Sequence, residues 1–371
     1  MSGGIKVKEQ FDIPITFTLG SEPVIKEIAR ALESKPFRPH PLFGNGHAQT
    51  LAGHMWPRRR LKRQPHNNDD EARLFEIEPG VKMLAHCRWQ PERQEHPTIV
   101  LVHGMEGDNT SVYILGTAQK AYGAGFNVLR LNMRNCGATE HLTPTLYHSG
   151  MSGDMRAVVR ELSEGDNLQR IFIVGFSMSG NIVLKLAGEE GANAPRALAG
   201  VCAVSPSIDL HACADAIERP SNWIYQRSFI RSLHRRMRVK RRLQPDRYDI
   251  SGLRRVRTIR DFDERFTAFH GGFADANDYY TRSSALRLIR QIRIPTLIIH
   301  ARNDPFIPFE SFLHPDIEAN RSIILLAPES GGHVAFVGAK AKGEDRFWSE
   351  NRCVEFCRLV DERLAIENNR S

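Results

Sequence analysis

From Thr98 onward the chain repeats one pattern, a short run of consecutive apolar residues followed by a longer stretch of helical character. The runs are Thr98–His103, Phe126–Met133, Ile171–Val174, Val201–Val204, Thr296–His300 and Ile323–Leu326. Unbroken apolar character predicts strands buried on both faces, and such strands alternating with helices make a parallel sheet covered on both sides. The expected fold class is therefore α/β, a mostly parallel central sheet flanked by helices. Two further runs, Ala72–Glu78 and Met83–Trp89, flank Pro79-Gly80 and predict a hairpin.

The pattern also divides the chain. Residues 1–70 are rich in proline and basic residues without strong periodicity, and read as an extension wrapping the core. Residues 71–208 form the first part of the core and 293–371 its C-terminal part. Between them, residues 209–292 exceed what one crossover helix needs, and predict a helical cap over the carboxyl edge of the sheet, where ligands bind in open α/β folds.

Composition adds little to this. A chain of 371 residues with 41% hydrophobic residues has ample core, and no stretch approaches the roughly 20 apolar residues of a membrane span. Met1 to Gln10 lack the apolar run of a signal sequence, so a soluble, cytoplasmic protein is expected. Six cysteines without metal-type spacing suggest neither a disulfide framework nor a zinc site, and Cys353 and Cys357 read as small buried hydrophobes on one helix face. The net charge of +8 is concentrated: thirteen Lys or Arg lie between Arg227 and Arg260 against Asp246 and Asp249.

Candidate chemistry begins at Gly175-Phe176-Ser177-Met178-Ser179-Gly180, directly after a predicted strand and before a predicted helix. A serine on a sharp strand-to-helix turn is the nucleophile-elbow arrangement, in which small neighbours let strand and helix approach. The motif alone would arise by chance about 0.4 times in such a chain. Its weight comes from partners. A serine nucleophile needs a base, and the base an orienting acid, in the chain order Ser, Asp or Glu, His. Asp304 follows the strand ending at His300, and His333 follows the strand ending at Leu326, after Gly331-Gly332. The oxyanion needs two N–H donors, for which the backbone of Met178 and of Met105, in His103-Gly104-Met105-Glu106-Gly107, are the candidates. No metal or organic cofactor is required by this set.

Several ordered blocks resemble the AB hydrolase type 4 family, esterases within the α/β-hydrolase superfamily. They are Asn45-Gly46-His47-Ala48-Gln49-Thr50, His103–Gly107, Tyr147-His148-Ser149-Gly150, the serine elbow, Phe262-Asp263 with Asp278-Tyr279-Tyr280, His300–Pro308, and Gly331–Phe336. The resemblance implies hydrolysis of carboxylic or lipid esters through Ser177, Asp304 and His333, with acyl transfer to an alcohol known among relatives. The chain departs from the family pattern at Ser179 and Asn135, where glycine is usual, and at Asn303, the first of two usual aspartates.

The expected partner is a small-molecule ester, and the leading reading is a serine esterase using an acyl-enzyme. Acyl transfer and a non-catalytic binding protein on the same fold are the alternatives. In Trp223–Met237 aromatic, aliphatic and basic residues mix at helical spacing, which fits a solvated cap helix or peripheral contact with an anionic membrane. No nucleic-acid module accompanies the charge, and no nucleic-acid partner is expected.

Overall fold

The computed structural model describes residues 22–56, 58 and 70–368; residues 1–21 and 59–69 of the N-terminal extension, with the basic run that follows Arg58, lie outside them. Two helices open the chain, α1 (Glu22–Glu33) and α2 (Gly46–Met55). The sheet is built from β1 (Glu71–Glu78), β2 (Val81–Arg88), β3 (Thr98–Val102), β4 (Asn127–Leu131), β5 (Ile171–Phe176), β6 (Leu198–Val204), β7 (Thr296–Ile299) and β8 (Ile323–Leu326). Its order is β1-β2-β4-β3-β5-β6-β7-β8. β1 and β2 form the expected hairpin and β2 pairs antiparallel with β4, while β3 to β8 are all parallel.

Each buried strand sends alternate residues to opposite faces. Val100, Val102, Ile173 and Val201 pack with Met155 and Val158 of α4 (Ser152–Arg160) and Ile182 and Leu186 of α5 (Met178–Glu190). Ile99, Leu101, Phe172 and Val174 pack with Ile114 and Ala121 of α3 (Val112–Gly123) and Phe356 and Val360 of the C-terminal helix (Trp348–Asn368), where Cys353 and Cys357 are also buried. This is the period-2 signature of a doubly covered sheet.

The described part of the N-terminal extension contributes a packed helix that its sequence reading did not predict. Ile25, Ile28 and Leu32 recur at helical spacing along α1 and are buried in that second core.

Between β6 and β7 the chain forms α6 (Leu210–Ile217), α7 (Trp223–Leu243), α8 (Ile259–Phe262), α9 (Ala268–Gly271) and α10 (Ala276–Ser283), with a π-helical turn at Asp263–Thr267. These elements have a core of their own, in which Ile230, Leu233 and Met237 of α7 meet Tyr248, Val256, Phe262 and Phe266. Each such side chain contributes about 2 kcal/mol by leaving water. Leu146, from the loop after β4, joins the cluster and ties it to the sheet. A last short helix, α11 (Pro315–Ala319), precedes β8, and the C-terminal helix above is α12.

Candidate active site

The strand order reverses around β3, which lies between β4 and β5, so a crevice opens beyond the carboxyl ends of β3 and β5. Ser177 follows β5 directly and has φ 56 and ψ −116, a backbone state that costs a non-glycine residue strain. The turn is tight enough that a Cβ on Gly175 would lie 2.4 Å from the Ser179 carbonyl oxygen.

Ser179 occupies its position without leaving a polar atom unpaired. Its hydroxyl accepts from the Phe176 N–H at 2.7 Å and donates to the Val102 carbonyl at 2.6 Å, bridging the ends of β5 and β3. An atom where glycine is usual therefore serves as a tie.

Ser177, Asp304 and His333 come together from three loops. The Ser177 Oγ is 2.9 Å from His333 Nε2, and His333 Nδ1 is 2.8 Å from Asp304 Oδ2. A carboxylate only accepts, so Nδ1 carries the proton and Nε2 is left to accept from the serine hydroxyl. Asp304 is wholly buried, which by itself would raise its pKa. The facing His333, His300 and the Phe306 N–H outweigh burial and hold the carboxyl below its ordinary range. Its second oxygen accepts from the N–H groups of Phe306 (2.9 Å) and Ile307 (3.1 Å).

The His333 loop is braced by residues that the sequence reading left without a role. Its N–H donates to Thr50 Oγ1 at 2.9 Å, and Gln49 exchanges hydrogen bonds with the backbone of Val337. Asn303 Oδ1 accepts from both Gly331 and Gly332 at 3.1 Å, so the amide standing for a usual aspartate caps the diglycine. α2 lies flush against this loop and the Asp304 loop because of two glycines seven residues apart: a Cβ on Gly46 would lie 1.9 Å from the Asn303 carbonyl oxygen, and one on Gly53 2.6 Å from Ala335 Cβ.

Met105 and Met178, the oxyanion-hole candidates, both line the crevice. Met178 opens α5, where the first N–H groups have no intrahelical acceptor. Before Met105, buried His103 accepts the Met133 N–H at Nε2 (3.1 Å) and donates from Nδ1 to the Gly104 carbonyl (2.7 Å). Burial pushes its pKa down to about 4, keeping it neutral. With the Gly104 carbonyl held there, the planar trans peptide turns the Met105 N–H to the opposite side.

The next residue is held from α7. Glu106 has φ 58, and its carboxylate accepts from Tyr147 Oη (2.6 Å) and Arg236 Nε (2.8 Å). Arg236 is buried on α7 and also donates to the Asn135 carbonyl. Asn135 itself has φ 64, which explains the usual glycine, and its side chain donates to the Thr145 carbonyl at 2.6 Å. Lys240, one turn further along α7, is buried against the carbonyls of Thr143 (2.5 Å) and Glu140 (3.0 Å). Part of the basic segment is thus internal.

A cavity of about 460 Å³ joins these groups, with Leu210, Ile217, Phe229, Leu233, Phe262 and Phe306 among its apolar lining. That size and character suit a small organic ligand. Among the described residues no group of three or more His, Cys, Asp or Glu could hold a metal ion, and no helix is long and apolar enough to cross a membrane.

Residues 97–337 match the family model described as the alpha/beta hydrolase fold, and the chain belongs to that family. It is 32% identical over 327 residues to the protein named "Putative esterase YheT" of Escherichia coli (strain K12), covering 86% of this chain and 92% of that protein. It is 28% identical to Phospholipase ABHD3 of Mus musculus over 65% of this chain and 58% of that one. The Pyrococcus furiosus esterase Pf2001 has the same fold, with a TM-score of 0.52 at 16% identity over 82% of this chain and 95% of its own.

Proposed function

We propose that this protein is a carboxylic ester hydrolase of the esterase and lipase type, acting through Ser177, His333 and Asp304 with an acyl-enzyme intermediate. The observation that carries the reading is the continuous hydrogen-bonded line from Ser177 Oγ through the His333 ring to buried Asp304. In this scheme His333 Nε2 takes the serine proton as Oγ attacks the ester carbonyl, and Asp304 fixes the ring and supports the imidazolium that forms. The N–H groups of Met105 and Met178 receive the oxyanion. His333 then protonates the leaving alcohol, and the same steps with water release the acid. The names of the relatives support ester bonds as the substrate class. No observation of the site favours acyl transfer over hydrolysis.

Residues 209–292 act in this reading as a cap that supplies much of the cavity wall. Its outer face supports the further reading of peripheral contact with an anionic membrane. Trp223 and Ile224 are each 57% exposed, Ile224 and half-exposed Leu51 also line the cavity, and Arg227, Arg231, Arg235 and Arg238 face outward along α7.

The test is covalent labelling. A fluorophosphonate probe should modify Ser177, and Ser177→Ala should lose both labelling and turnover of p-nitrophenyl esters; normal turnover by that variant would sink the assignment.

A further inference from the structure

Three of the sequence blocks named above have no part in the triad, the oxyanion loop or its bracing: Phe262-Asp263, Tyr279-Tyr280, and His148-Ser149 beside Tyr147. All three reach the cavity that Ser177 lines. There they set polar atoms into an apolar wall.

Asp263 is buried with no cation at ion-pair distance among the described residues. Its Oδ1 accepts from the Thr267 hydroxyl at 2.7 Å and its Oδ2 from Tyr280 Oη at 2.8 Å, and each oxygen keeps a second acceptor direction. Tyr279 Oη accepts the Ser149 N–H at 3.0 Å and also meets the Ser149 side chain. His148 accepts the Gly150 N–H at Nδ1 (3.1 Å), and burial, with Arg134, Lys185 and Arg282 nearby, lowers its pKa to about 3. The ring is therefore neutral, with its proton on Nε2, which is bonded to no other described residue. The His148 and Tyr279 rings are 5.8 Å apart between centroids, and those of Tyr279 and Tyr280 5.2 Å.

This patch is fixed relative to the nucleophile. Asn181, one turn after Ser177 on α5, donates to the carbonyls of Ser149 (3.0 Å) and Ser283 (2.8 Å) and accepts the Ala285 N–H (2.8 Å).

We infer that Asp263, Tyr279 and His148 form a subsite for a hydroxyl-bearing alcohol portion of the ester, a polyol rather than a plain alkyl group. The inference rests on the ester-hydrolase reading. An unpaired buried carboxylate is costly, and the apolar remainder of the cavity gives it no partner. The subsite offers the Asp263 carboxylate as acceptor, the His148 Nε2–H as donor and the Tyr279 hydroxyl, which can give or receive. A hydroxyl group both gives and receives, so neighbouring hydroxyls satisfy all three. A quaternary ammonium would satisfy Asp263 alone, and an anionic group would meet its charge. Tying α10 to the π-helical turn does not by itself call for a carboxylate, because an amide oxygen also accepts.

The experiment compares 1-octanoylglycerol, propyl octanoate and octanoylcholine as substrates of wild type, Asp263→Asn and Tyr279→Phe. Wild type should show kcat/KM for the glycerol ester about tenfold or more above that for the propyl ester, and each substitution should lower that ratio about tenfold, since a site built around a hydroxyl discriminates through its buried polar groups. Fluorophosphonate labelling of Ser177 reports that a variant is folded; if Asp263→Asn does not label, Tyr279→Phe decides. A ratio unchanged by substitution, or a wild-type preference for the propyl or choline ester, overturns the subsite alone. Turnover of none of the three esters by the wild-type chain overturns the ester-hydrolase reading and the subsite with it.

Discussion

At the scale of single residues, the site depends on polar atoms that are paired although buried. Ser179 is the sharpest case. Replacing it with alanine removes its bonds to the Phe176 N–H and the Val102 carbonyl and leaves those two groups only the β3–β5 ladder, so Ser179→Ala should lose about 0.5 to 1.5 kcal/mol in urea unfolding. Glycine at the same position removes the same two bonds and adds backbone freedom within α5, so it should not be better tolerated. Asp263 makes a pH prediction. Burial raises its pKa to about 6 against the hydroxyls of Thr267 and Tyr280 and the charge of Arg260, which act to lower it. A carboxyl with a raised folded pKa contributes its full stability below the unfolded value, near 4, and loses it as pH rises through 6. The urea stability of wild type relative to Asp263→Asn should therefore fall by up to about 3 kcal/mol between pH 4 and pH 7. A difference independent of pH would show that the carboxyl ionises normally.

At the scale of elements, α7 and the proposed oxyanion loop are joined by a buried pair. Arg236 of α7 holds Glu106, the residue after Met105, in a left-handed conformation. Arg236→Met leaves Glu106 charged and unpaired, which should cost about 3 to 5 kcal/mol of stability. It should also lower kcat about 10- to 100-fold, with KM changing less, because a displaced donor affects the transition state more than ground-state binding. Equal losses in kcat and affinity would point to general disruption of the cap instead. The strands were legible in the sequence because two-sided burial writes itself as unbroken apolar runs, and the partners of Ser177 because each follows such a run. α2 was not legible. Its face pattern is weak, and what fixes it is the fit of Gly46 and Gly53 against two loops about 250 to 280 residues further along the chain. Thr50, Asn303 and Arg236 escaped for the same reason: a threonine, an asparagine and an arginine announce nothing locally, and their work depends on tertiary contact.

At the scale of the whole molecule, the charge has two fates. Arg236 and Lys240 are internal, while the other basic residues of α7 form an outward stripe beside an apolar mouth. The protein should bind vesicles containing phosphatidylserine in flotation assays at low salt, lose most of that binding at 0.5 M salt, and bind more weakly after Trp223→Ser with Ile224→Ser. Binding to neutral vesicles of equal strength would show that charge is not involved. The bond between Thr50 and His333 spans 283 residues, and that between Ser177 and His333 spans 156. At about 5 to 20 residues per second, a ribosome that has made Thr50 needs about 15 to 60 s more to reach its partner. From Ser177 to His333 it needs about 8 to 30 s, and over that shorter interval the nascent chain holds the proposed nucleophile without its proposed base, so the site stays incomplete until about the last tenth of the chain is made. The order of synthesis thus leaves the proposed acid–base partner of Ser177 among the last parts of the site to be made.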